Sequence, residues 1–170
     1  MTRIHWRKAL AAVLLSVVLV VGAGCSQPDT SPYSQAQQES TEKGAPPAVS
    51  ADAEKGGEFN QFFPASAQGF EVVFSQEKAG FAEAKLKRDG QDVALLAISD
   101  TVSVPAAAQK YQSSSETLAG YPVLEIGDTQ TGVLVAERYQ VKAISRDPGF
   151  TQQDRRDWIE KFDLAGLGNL

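Results

Sequence analysis

Residues 59–170 of this 170-residue chain predict an α+β fold: an antiparallel sheet of about six strands with two packed helices. Three observations carry that expectation. Ala82, Ala84 and Leu86 alternate with Glu83, Lys85 and Lys87 and run into Asp89-Gly90, a favoured hairpin turn. Three further apolar runs, beginning near Tyr121, Gly132 and Arg138, are separated by turn residues. Two segments, opening near Ser103 and Thr151, carry helix-start chemistry. The elements then read strand-strand-strand-helix twice, an order that raises the hypothesis of an internal duplication.

The first element is a short helical lead-in, with Phe59, Phe62 and Phe63 packed on the core and Pro64 closing it. Residues 70–76 form the first strand. The hairpin follows, and its second arm, residues 93–98, is apolar on both faces, as a central strand requires. Residues 103–112 read as a helix, with Ser103 as cap and Pro105 in the first turn. Three strands come next, turning at Gly127-Asp128 and near Glu137-Arg138, and Asp147-Pro148-Gly149 ends the sheet. In the last helix Thr151 and Asp154 make a capping box. Trp158, Ile159 and Phe162 share its apolar face, while Arg155, Arg156 and Lys161 are expected to point elsewhere.

The N-terminal part has a different character. Arg3, Arg7 and Lys8 make a basic start, residues 9–21 are apolar apart from Ser16, and Gly22, Ala23 and Gly24 are small. That is the layout of a secretory signal peptide, residues 1–24, removed on export. Thirteen apolar residues in a helix reach about 20 Å at ~1.5 Å per residue, short of a ~30 Å hydrocarbon core. Residues 25–58 are rich in Ser, Gln, Pro, Ala and Gly, and read as a flexible tether of roughly 30 Å r.m.s. span. Within it, residues 50–58 have the composition for a helical turn or two before a break at Gly56-Gly57.

The cysteine that follows the small residues, Cys25, is the only one in the chain. The run Gly22-Ala23-Gly24-Cys25 resembles the lipobox of bacterial lipoproteins at its last three positions; Gly22 stands where that family usually has an aliphatic residue. The resemblance implies that the Cys25 thiol receives a diacylglyceryl group and that its freed amine is acylated. It also implies cleavage directly after Gly24. Each buried methylene contributes ~0.8 kcal/mol, and two chains hold a protein where one does not. The expected partner is therefore membrane lipid, reached through acylated Cys25.

Removal of residues 1–24 takes three of 16 Lys+Arg and none of 21 Asp+Glu, leaving 13 against 21, a formal charge of −8. An acidic body argues against nucleic acid, whose phosphates require a basic face. The single histidine, His5, leaves with the signal segment. With the one thiol acylated, a Ser-His-Asp or Cys-His nucleophile cannot be assembled, nor a metal site that uses His or Cys ligands. The expectation is a non-enzymatic protein without a cofactor.

Carboxylates are the acid-base groups that remain. Asp89, Asp92, Asp100, Asp128, Asp147 and Asp154 fall mostly in turns or caps, where aspartate serves the backbone. Residues 126–132, with one aspartate and two threonines, read as a hairpin loop rather than a calcium loop. Tyr139 and Arg138, with Tyr111 and Tyr121, either line a ligand groove or pack across strands, the commoner use of strand aromatics. Residues 145–150, where Arg146 and Phe150 bracket a rigid turn, serve equally as recognition loop or as strand-to-helix punctuation. Lys85, Lys87 and Arg88 read as a solvated strand face.

Residues 31–41, 80–90 and 136–151 are similar to a group of small, uncharacterised lipoproteins associated mainly with cyanobacteria. That resemblance covers most of the chain beyond Cys25 and implies a compartment, the periplasmic or thylakoid-lumenal side of a membrane, with no active site. The functional expectation is a lipid-anchored accessory module that binds a protein partner or complex at the membrane surface. The alternative is a carrier of a small hydrophobic ligand or lipid.

Overall fold

A computed structural model of the chain describes residues 48–170. Gly22, Ala23, Gly24, Cys25 and the tether as far as residue 47 lie outside the described residues. The described part is α+β, with a seven-stranded antiparallel sheet and a few short helices.

The strands are β1 (Phe70–Lys78), β2 (Phe81–Arg88), β3 (Gln91–Asp100), β4 (Thr117–Leu118), β5 (Tyr121–Ile126), β6 (Gln130–Val135) and β7 (Tyr139–Ser145). Their spatial order is β1-β2-β3-β7-β6-β5-β4. The hairpin register is as the alternation requires, with Ala84 opposite Leu96 and Leu86 opposite Ala94. Two two-residue connections, Asp89-Gly90 and Ala119-Gly120, and the first two residues of the three-residue connection Ala136-Glu137-Arg138 have positive φ at both positions, the type I′ geometry that matches strand twist. The expected six strands become seven because Ala119-Gly120 folds the two residues of β4 back onto β5. A two-residue strand has no period for a sequence to display.

Strand side chains alternate between faces, so one face carries Ala84, Leu96, Val133 and Val141, all fully buried. On it pack the 3-10 turn Gly56–Phe62, helix α2 (Gln152–Ile159) and helix α3 (Leu164–Leu167). Phe59, Phe62, Trp158, Ile159, Phe162, Leu164 and Leu167 fill the space between them. The opposite face is covered near β6 and β7 by helix α1 (Pro105–Gln109) and the 3-10 turn Lys110–Ser113, which seats Tyr111 over Gly132 and Gln140. A Cβ on Gly132 would collide with the Tyr111 hydroxyl, so only glycine permits that approach.

This placement bears on the duplication hypothesis. The meanders β1-β2-β3 and β5-β6-β7 do meet at the antiparallel β3–β7 pair. A two-fold axis through that pair would be normal to the sheet and would leave both following helices on one face. Helices α1 and α2 lie on opposite faces instead, so a duplicated βββα unit does not describe the molecule.

Other expectations need adjustment. Ser103 does not cap α1; its Oγ accepts from the Ser50 amide, while Asp100 accepts from the Val102 amide and caps the turn Thr101–Ser103. Gly56-Gly57 is not a break but the start of a 3-10 turn. Gly56 sits so close to the carbonyls of Lys78 and Phe81 that a Cβ would lie 2.5 Å from each. Residues 50–55, assigned above to the tether, are hydrogen-bonded to the end of the sheet through Glu54, Asp100 and Gly80. The terminal helix ends at Ile159, so buried Phe162 lies in the turn beyond it.

Candidate functional site

A polar cluster lies where α2 packs over β6 and β7 and its arginines reach Glu125 of β5. The Thr151–Asp154 capping box fixes the start of α2: the Asp154 amide donates to Thr151 Oγ1, and the Thr151 amide donates to Asp154 Oδ2 at 2.7 Å. The Thr151 hydroxyl and amide, both donating to Asp154 Oδ2, hold that carboxyl below its ordinary pKa. With the start fixed, Arg155, Trp158 and Ile159 fall on one helical face by their i, i+3, i+4 spacing. Arg155 was expected to point away from that face, yet it is 2% exposed. The guanidinium is admitted because every direction it points is met. Nε donates to Thr131 Oγ1 and Nη1 to Ser145 Oγ, both at 2.9 Å, and Nη2 lies 3.5 Å from Glu125 Oε2.

Glu125 is the hub. Its Oε2 accepts from Thr131 Oγ1 at 2.5 Å, and its Oε1 accepts from Arg156 Nε at 2.9 Å. Arg156 Nη2 reaches Glu116 at 3.0 Å, tying in the segment before β4. Burial pushes the Glu125 carboxyl up, but hydrogen bonds from Thr131, Gln152 and Arg156 outweigh it and leave the pKa below the usual range. The Glu116 carboxylate, with Glu125, raises Arg156. Glu125 and Arg156 therefore stay charged at neutral pH, and the ion pairs run in a chain from Arg155 through Glu125 and Arg156 to Glu116. A carboxylate locked in this way has no proton to deliver and little basicity to accept one. The arrangement works as an ionic brace.

Beside the brace is an open groove of about 270 Å³ lined by Ser113, Ser114, Ser115, Glu116, Val123, Leu124, Glu125 and Arg156. Two of its three serine hydroxyls meet backbone carbonyls. Ser113 donates to the Lys110 carbonyl, and Ser114 to the carbonyls of Glu116 and Val123. A second cavity, of about 330 Å³, lies beside Tyr111, Gln112, Pro122, Leu134 and Glu137.

The candidate tyrosines do not share a groove. Tyr111 is buried on one face, accepting from Gln140 Nε2 at 2.8 Å, and burial raises its phenol pKa. Tyr139 is on the other face against Phe59, with the Arg138 guanidinium 5.0 Å from its ring centre. Tyr121 donates to the Leu164 carbonyl. Cross-strand and helix packing is thus their use. In residues 145–150, Phe150 is buried against Phe70 rather than presented outward, while the Asp147 carboxylate accepts from the Gly149 amide. A cavity of about 330 Å³ remains there, between Asp128-Thr129 and Arg146-Pro148.

The remaining aspartates and basic residues resolve as local structure. Asp92 bridges Lys85 and Lys87 at 2.7 Å to each, and those lysines lower its pKa. Arg88 stacks 5.3 Å over the Phe70 ring. Asp89 and Asp128 stand in turns. Within residues 126–132, residues 127–129 form the turn between β5 and β6, and Thr131, in β6, belongs to the brace. Among the described residues no three His, Cys, Asp or Glu side chains are grouped so as to hold a metal ion. No described helix is long and apolar enough to cross a membrane.

Asp100 is the second notable centre. Its side chain is fully buried and accepts from Arg138 Nε at 3.0 Å, Arg138 Nη2 at 2.7 Å, and the amides of Glu54 and Val102. Burial opposes its ionisation, but these donors prevail and its pKa falls below the ordinary value.

No family model matches this chain, and no curated protein or solved structure is significantly similar to it.

Proposed function

We propose that this protein is a non-enzymatic lipoprotein, anchored through acylated Cys25, whose α+β domain serves as an accessory module for a protein partner at the extracytoplasmic surface of a membrane. The observation that carries this reading is the run from Arg3 to Cys25 followed by a long polar segment, since an acyl anchor with slack beyond it is suited to tethering a domain. The brace chemistry supports it: Glu125, Arg155 and Arg156 are committed to one another rather than to a reactant. The acidic body leaves the acyl chains, not charge, to hold the lipid surface.

Co-purification from mildly solubilised membranes tests the proposal. A partner should accompany the native chain in fixed ratio and be lost from the same membranes when Cys25 is replaced by Ser. Recovery as a free monomer counts against it. Native mass spectrometry of the delipidated chain decides against the carrier alternative if no guest is retained; a bound hydrophobic guest replaces the proposal with that alternative.

A further inference from the structure

The chain enters the folded domain through residues 48–55, and the way this strap is held differs from everything after it. The Ser50 amide donates to Ser103 Oγ at 2.8 Å, and the Glu54 amide to Asp100 Oδ2 at 3.0 Å. The Asp52 carbonyl accepts from Arg138 Nη2 at 2.9 Å, and the Glu54 carbonyl accepts from the Gly80 amide at 2.6 Å. All four bonds converge on the corner where β1 turns into β2 and β3 ends. None of residues 48–55 is buried, whereas Gly56, Phe59 and Phe62 immediately after them are.

Hydrogen bonds and half-buried contacts therefore hold the strap, and full burial begins abruptly at Gly56. Net gains from exchangeable hydrogen bonds are of the same order as the backbone entropy of ordering the residues that make them. The buried Asp100 carboxylate and the forked Arg138 guanidinium supply the strong, charge-assisted part. Asp100 also retains Val102 and Arg138 as partners when the strap leaves, so the sheet is not left with an unpaired buried charge.

We infer that the Asp100–Arg138 pair is a releasable clasp: residues 48–55 detach and re-dock as a unit while the sheet stays folded, with Gly56 as the point where detachment stops. This device adds a variable length to the segment between Cys25 and the domain. Eight freed residues extend by roughly 27 Å at ~3.4 Å each. Its use in adjusting reach from the membrane rests on the anchoring proposed above; the clasp itself does not.

Hydrogen exchange by mass spectrometry on the full chain tests the clasp and needs no lipid, so failure of the anchor and failure of the clasp are separate results. Peptides covering residues 48–55 and the Gly80 turn should exchange faster than β3 and β7 in the native protein. Asp100→Asn should accelerate the strap about tenfold or more, by a clearly larger factor than β3 and β7. Ser103→Ala removes only the acceptor for Ser50 and should speed the strap severalfold with no change in melting temperature. A strap that exchanges as slowly as β3 and β7 overturns the inference. So does equal acceleration of strap and sheet in Asp100→Asn together with an unaffected strap in Ser103→Ala.

Discussion

Arg155 is the residue whose environment departs most from its type. A buried guanidinium is tolerated where its donors are met, and removing it takes a donor each from Glu125, Thr131 and Ser145, which keep their bonds with Arg156, Glu125 and Phe150. Arg155→Ala should cost about 1–3 kcal/mol in chemical denaturation, the cost of the donors lost by Thr131 and Ser145. The double variant Arg155→Met, Glu125→Gln should lose much less than the sum of the single changes; additive losses would mean the two side chains are not coupled. Glu125, Asp100 and Asp154 also set the acid response. Each has a lowered pKa in the fold, so each contributes stability in full above its unfolded value, ~4. That contribution is lost as pH falls through the lowered folded value. Urea midpoints should be flat from pH 7 to 5 and drop from pH 4 to 2, with a shallower drop in Glu125→Gln. Identical acid slopes would contradict the assignment. The position of Arg155 was in the sequence, since 155, 158 and 159 share a helical face. Its charge concealed it, because a buried arginine needs partners from β6 and β7 that no local spacing displays.

Elements show the same division between local and long-range information. The β2–β3 hairpin was legible because alternation and Asp89-Gly90 state register and turn in one stretch. The capping box was legible for the same reason, and Thr151→Ala should cost about 1 kcal/mol, a melting shift of a few degrees. Trp158, packed at 5.3 Å against Phe70 and nearly fully buried, should cost about 3–5 kcal/mol as Ala. An unchanged melting curve would place it outside the core. The Ala136-Glu137 turn was read only approximately, for neither residue is the glycine or asparagine that φ near 50° favours. Replacing the pair with Asn-Gly should stabilise the hairpin by about 1 kcal/mol, and a lower melting temperature would refute the I′ assignment. The strand β4 and the face chosen by α1 were not legible. The first has two residues, and the second depends on Tyr111 meeting Gly132 across the sheet.

For the whole molecule, the described domain is held by one core between sheet and helices, with charged groups used as braces at its margins. The domain therefore accounts for its own stability, and the proposed tethering to a membrane turns on Cys25. Growth of expressing cells with labelled fatty acid, comparing the native chain with Cys25→Ser, tests that claim most directly. The native chain should carry label and migrate as the processed form, while the variant should carry none and remain at precursor mass. Equal labelling of the Cys25→Ser chain would contradict the account.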